Sequence, residues 1–171
     1  MMNSTRGLPS PVPSKCLRRF VVTFAVLGLM TVSAESAVAQ DPGADAAYGT
    51  VRLEEGFVPD PNETSLTAGG SIEVDKGRCS YGYVANAPDV DLYYVTSGGS
   101  DLYVYVRSGD DTTLLIHTPD GSWNCDDDDL GDMNPVVIIR NAPSGLYDIW
   151  VGTYGDDLAS ATVYISEIDP R

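Results

Sequence analysis

The sequence predicts an all-β protein, an antiparallel β-sandwich of about eight or nine short strands. Three observations carry this. No stretch beyond residue 39 keeps apolar residues at helical spacing. Short runs rich in Val, Ile, Leu, Thr and Tyr recur instead. Clusters of Gly, Pro, Asp and Asn separate them, and those residues supply turn backbone.

The 171-residue chain begins with segments that are not fold. Lys15, Arg18 and Arg19 precede the apolar run 20–32, which is short for a membrane span. Ala37-Val38-Ala39 offers small residues for cleavage, so residues 1–39 read as a signal peptide and the mature chain starts at Gln40. Residues 40–55 read as an N-terminal arm with a short strand at 50–54, where Val51 and Leu53 share a face. The β-domain spans 56–171. Phe57–Asn62 carries Pro59 and Pro61, which cannot donate to a ladder, and reads as a linker. Asn62-Glu63-Thr64 fits the glycosylation sequon.

Strands are expected over 71–74 and 79–84. The next two, 91–96 and 101–107, are joined by Ser97-Gly98-Gly99-Ser100 and read as an antiparallel hairpin. In the second, Leu102, Val104 and Val106 face one way, and Tyr103, Tyr105 and Arg107 the other. The region 110–154 reads as strand, turn, strand, acidic loop, strand, turn, strand, with Pro119-Asp120-Gly121 as its first turn. Residues 161–165 close the fold.

Loss of the leader removes Arg6, Lys15, Arg18, Arg19 and Glu35. Ten basic residues thus fall to six and 25 acidic to 24, a net charge of −18 with His117 neutral. Nucleic acid, whose phosphates need clustered Lys and Arg, is excluded as a partner. After signal cleavage no membrane insertion is expected either. Such a field draws cations and keeps an exported chain soluble. Two cysteines remain, Cys79 and Cys125, and an even pair in an exported protein reads as a disulfide. The expected location is extracellular or at a bacterial cell surface.

The acidic loop is the strongest candidate site. Asp126, Asp127, Asp128, Asp129 and Asp132 surround Gly131, and Asp120, Asp110 and Asp111 are near in sequence. Calcium takes six to eight hard oxygen ligands, so Ca2+ is the expected cofactor, with Asp120 completing the set. Neighbouring residues on an extended chain point oppositely, so two or three of the four consecutive aspartates are expected to bind. The EF-hand spacing is absent. Catalysis finds little support: His117 is the single histidine, and the sequence has no G-x-S-x-G elbow. Trp150, Trp123 and Tyr147 are candidates for stacking on an extracellular polymer, against the alternative of cross-strand packing.

The runs Asp111–Trp123 and Gly145–Tyr154, with Cys125, Asn134-Pro135, Gly69-Gly70, Cys79 and Gly82-Tyr83, resemble bacterial pre-peptidase C-terminal (PPC) domains. The likeness spans 56–168. It implies a jelly-roll-like sandwich that is not itself a peptidase, of a kind that accompanies secreted proteases and in some cases binds calcium or matrix polymers.

The resulting expectation is a secreted, non-catalytic, calcium-stabilised structural or interaction module. Its partner is itself, assembled into fibres or matrix through the arm strand, or an extracellular polymer. The alternatives are a carbohydrate-binding module, an accessory domain to a secreted protease, and a small hydrolase.

Overall fold

The computed structural model describes residues 39–131 and 133–171. Apart from Ala39, the leader expected over 1–39 lies outside them, as does Asp132. The described residues contain no helix and form two packed sheets, an all-β sandwich as the sequence predicts.

Among the described residues eleven strands run in chain order: β1 (Thr50–Glu54), β2 (Asn62–Ala68), β3 (Ile72–Glu73), β4 (Tyr83–Val84), β5 (Val90–Val95), β6 (Leu102–Ser108), β7 (Thr112–His117), β8 (Trp123–Asp126), β9 (Val136–Ile139), β10 (Gly145–Thr153) and β11 (Ala159–Ser166). The larger sheet follows the order β1-β5-β10-β4-β3, with β7 against β10 and β8 against β7. The smaller sheet follows β2-β11-β6-β9. Leu92, Leu114, Ile116, Ile149 and Val151 from the larger sheet meet Leu102, Val104, Val106, Val163 and Ile165 from the smaller one. Alternation makes that core: in β6 the three apolar positions turn inward while Arg107 is exposed, as expected.

Two expectations are corrected. The segment joined by Ser97–Ser100 is not a hairpin, because β5 lies in the larger sheet and β6 in the smaller. Both strands bear apolar faces that must be covered, and pairing them side by side would leave both on one layer; Gly98 and Gly99, at φ 100° and 102°, turn the chain across instead. The second is β2, whose start the sequence reads as linker or turn. It alternates weakly, with Leu66 and Ala68 buried and Glu63, Ser65 and Thr67 exposed, so its small polar residues hide the pattern. Asn62 of the sequon is its first residue, paired with Ile165.

The outer face of the larger sheet is covered in two ways. At one end Val74, Cys79, Val84, Leu115 and Trp150 form a second small core, with Trp123 and Cys125 packed on it. The disulfide joins Cys79 to Cys125, as expected from the cysteine count, with Cα atoms 5.7 Å apart. Toward the other end lies the N-terminal arm.

Candidate interaction site under the N-terminal arm

The arm is held mainly by backbone. Asp41 N–H donates to Asn86 O, Ala47 N–H to Pro88 O and Tyr48 N–H to Asp89 O, each at 2.8 Å. The chain then enters β1, which runs parallel to β5 in the register Thr50↔Asp91 to Glu54↔Val95. Val51 and Leu53 are half-buried against the main core. β1 is an edge strand, as its alternation predicts, but here it completes its own sheet. The Tyr48 hydroxyl accepts from Thr67 N–H at 2.8 Å, tying the arm to β2, an edge of the opposite sheet.

Beneath the arm the larger sheet carries a row of polar residues. Register places Asp91 on β5 opposite Asp148 on β10, Asp148 opposite His117 on β7, and His117 opposite Trp123 on β8. His117 Nδ1 lies 3.0 Å from Asp148 Oδ2. The other oxygens, Asp148 Oδ1 and Asp91 Oδ1, are buried with no hydrogen-bond partner among the described residues. Burial raises the pKa of both carboxyls above the ordinary range; for Asp91 the charges of Asp148 and Asp45 add to it, offset by the Ala46 N–H, and for Asp148 His117 opposes it. Asp89 is more deeply placed, 3% exposed, and its Oδ2 accepts from Val151 N–H at 2.7 Å. Burial pushes its pKa up to about 7 despite that bond. A cleft of about 550 Å3 opens beside the row, between Pro42-Gly43 of the arm and His117, Pro119, Leu146 and Asp148.

His117 is the residue that sequence reasoning undervalued. Read alone it is a histidine in a strand; its partner is 31 positions away. The signal was present in two apolar runs, Leu114-Leu115-Ile116-His117 and Tyr147-Asp148-Ile149-Trp150, each broken once by a polar residue. Two such interruptions in neighbouring strands face each other.

The acidic loop has a different character from the one expected. Asp126 is buried, and its Oδ2 accepts from Val136 N–H at 2.8 Å and Asp129 N–H at 3.0 Å, so it closes the loop onto β9. Asp127 is half-buried, and Asp128 and Asp129 are exposed. Burial, together with the charges of Asp128 and Asp127, raises the pKa of Asp111. Asp120 sits at the other end of the β7–β8 hairpin, about 15–20 Å of strand away. There it accepts from Thr118 Oγ1 at 2.6 Å and Ser122 N–H at 3.0 Å. Among the described residues no three His, Cys, Asp or Glu side chains are placed to hold a metal ion. Asp120 and Asp126 therefore lie at opposite ends of the hairpin and not in one site.

The polymer-stacking residues are corrected too. Trp150 and Tyr147 are wholly buried, in the second core and the main core, where β10 is covered on both faces. Tyr147 donates its hydroxyl to Pro143 O at 2.6 Å. Trp123 is half-buried, with His117 and Trp150 against its ring and Lys76 Nζ 4.9 Å from its centroid. Of the other rings, Tyr93 lies under Arg52, Tyr103 under Arg140, and Tyr105 stacks on Tyr164 at 4.9 Å, while Tyr154 is exposed. A sugar needs a free ring face.

No protein-family model matches the sequence, and no curated protein matches it. Among solved structures, the chain is similar to the pre-peptidase C-terminal domain of a collagenase from Bacillus anthracis, at 9% identity and a TM-score of 0.44, over 72% of this chain and 100% of that one. The chain is also similar to PliG from Aeromonas hydrophila, a periplasmic inhibitor of g-type lysozyme, at 13% identity and a TM-score of 0.37, over 72% of this chain and 98% of that one.

Proposed function

We propose that this chain is an exported, non-catalytic structural module that acts by assembling with further copies of itself. The observation that carries the reading is that the groups able to do chemistry are committed to the fold. His117 is bonded to Asp148. Ser144, a hydroxyl of the cleft lining, donates to Thr96 O and accepts from Thr96 N–H. The cysteines are bonded to each other and Asp126 to backbone amides. The His117–Asp148 bond leaves the second ring nitrogen able to act as a base, but a nucleophile must stand beside it, and the cysteines and the cleft hydroxyls of Ser144 and Thr118 are already bonded. The disulfide suits an oxidising compartment, which supports export. Binding to a carbohydrate polymer is the weaker reading, because Trp150 and Tyr147 are buried.

Sedimentation velocity and negative-stain electron microscopy of the exported protein, with calcium and with chelator, test this. Assemblies larger than the monomer are expected in both conditions. A strict monomer throughout would overturn the reading. A calcium-dependent rise in Tm, abolished by Asp127→Asn with Asp128→Asn, would restore the metal, since a ligand of the native state alone must stabilise it.

A further inference from the structure

We infer that the contact between copies is the N-terminal arm itself, exchanged so that the Gln40–Glu54 segment of one molecule docks along β5 of the next. The inference rests on the self-assembly reading above and names its partner surface as a second copy of this chain.

Four features of the arm point to exchange. It precedes the rest of the described fold, so it can leave and re-enter an edge without threading through a loop. Its hold on the sheet is largely a set of N–H···O bonds to Asn86, Pro88 and Asp89 and the parallel ladder to β5, which an identical arm from another molecule reproduces bond for bond. Its apolar contribution is small, Val51 and Leu53, both half-buried. Finally, it closes over carboxylate oxygens that no described donor satisfies. Asp91 Oδ1 and Asp148 Oδ1 are shut from water beneath it, and the arm brings the Asp45 carboxylate toward Asp91. Opening returns those oxygens to water, which lowers the cost of releasing the arm, while docking of any arm, its own or a neighbour's, buries them again.

The geometry of the joint fits as well. After β1 the chain crosses in Glu55–Pro61 to β2 at the edge of the opposite sheet. Glu55 is anchored in place by Ser97 and Ser100, and Gly56 N–H donates to Glu167. The end of a neighbour's β5 offers Glu55 the same serines, so Glu55 travels with the arm and the joint lies at 56–61, where Gly56 and Asp60 bond Glu167. A reciprocal exchange closes a dimer; a one-way exchange, each arm passed to the next molecule, extends into a fibre because it never closes.

Glu54 and Val95 are paired in register, both exposed, and on neighbouring strands, so cysteines at both positions lie within disulfide reach wherever the arm is docked. The test is the double variant Glu54→Cys with Val95→Cys, oxidised after assembly, run on a non-reducing gel and weighed by sedimentation velocity. Exchange gives covalent dimers or a ladder that collapses to monomer on reduction. Assemblies whose crosslinks are all within one chain overturn the exchange and leave self-assembly standing. Absence of any assembly, in this variant and in the unmodified protein, overturns both. The two single-cysteine variants provide the collision background, which the double variant must exceed at least tenfold. A third arm oxidises the double variant as dilute monomer first: the locked arm is then expected to stop assembly, and reduction to restore it. Assembly undiminished by the lock overturns the inference.

Discussion

Replacing Asp89 with asparagine isolates a buried, strongly perturbed acid. Asp89 is 3% exposed and spends one carboxylate oxygen on Val151 N–H. Its folded pKa is about 7 against an ordinary 3.8, because burial penalises the charge more than the single amide rewards it. The sign follows from linkage. A raised folded pKa means that the unfolded chain releases its proton first, so the stability associated with this group is fully present below pH 4 and is lost as pH rises to 7 and beyond. About three pH units at 1.36 kcal/mol each put the loss on the order of 4 kcal/mol, and the near-complete burial leaves little solvent screening to reduce it. The side chain introduced by Asp89→Asn keeps an oxygen for Val151 N–H and cannot ionise. Urea unfolding of both proteins at pH 4.5, 5.5, 6.5 and 7.5 should therefore give curves that diverge. They should agree within about 1 kcal/mol at pH 4.5, with the variant ahead by about 3–4 kcal/mol at pH 7.5. Every other acid is common to both and cancels in the difference. Parallel curves would show that Asp89 is not desolvated as described.

Removing the disulfide with Cys79→Ser and Cys125→Ser opens a loop of 46 residues and is expected to cost about 3–4 kcal/mol in thermal or urea unfolding; a loss under 1 kcal/mol would refute it. Gly152→Ala places a methyl group 2.3 Å from Thr113 Oγ1 and 2.7 Å from the Tyr83 carbonyl, so β10 cannot keep its spacing to β4 and β7. A destabilisation of about 1–3 kcal/mol should follow, and an unchanged Tm would count against this packing. Within the acidic loop, Asp126→Ala strands two amides that its carboxylate now satisfies and should cost about 1–3 kcal/mol, while Asp128→Ala should stay within about 0.5 kcal/mol, both read from urea midpoints. Equal effects at the two positions would contradict the division of labour between them.

The strands that carry strong alternation were legible with small errors of boundary. Residues 50–54 match β1, and 101–107 differ from β6 by a single position at each end. Residues 79–84 are too long for one strand, since Tyr81-Gly82 interrupts and the extended pairing is confined to Tyr83 and Val84. What alternation cannot show is which sheet a strand joins. The Ser97–Ser100 connection is as suitable for a hairpin as for a crossing between layers, and the choice is made by the core, which pairs the inward faces of β5 and β6 across the sandwich. The site followed the same division. Cys79 with Cys125 was readable because cysteine count and compartment determine it, whereas the Asp91–Asp148–His117 row depends on register between strands distant in sequence. Trp150 failed as a binding residue for a related reason: the sequence places it on the face opposite Ile149, but only the second core shows that the outer face is covered there.

The abundance of aspartate reads differently once its bonds are traced. In the sequence it suggested a cation site and a repulsive, soluble surface. In the fold many of these carboxylates serve as acceptors for loop amides that lack a ladder partner. Asp101 takes Asn141 N–H, Asp120 takes Ser122 N–H, Asp60 takes Glu167 N–H and Asp169 takes Arg171 N–H. A short side-chain acceptor does for a β-sandwich's loops what capping residues do for helix ends. These acids fall into two thermodynamic classes. Exposed ones such as Asp101, Asp120 and Asp169 have pKa values held below the ordinary range by the amides, hydroxyls or guanidinium groups that bond them, so they stabilise above the unfolded value and lose that as pH falls. The buried Asp89, Asp126 and Asp148 and the half-buried Asp91 are raised by burial and withdraw stability as pH climbs. The first class favours ionisation and the second opposes it. Asp89, raised to about 7, therefore keeps its proton in mildly acidic solution, where the loop carboxylates that bond amides are charged.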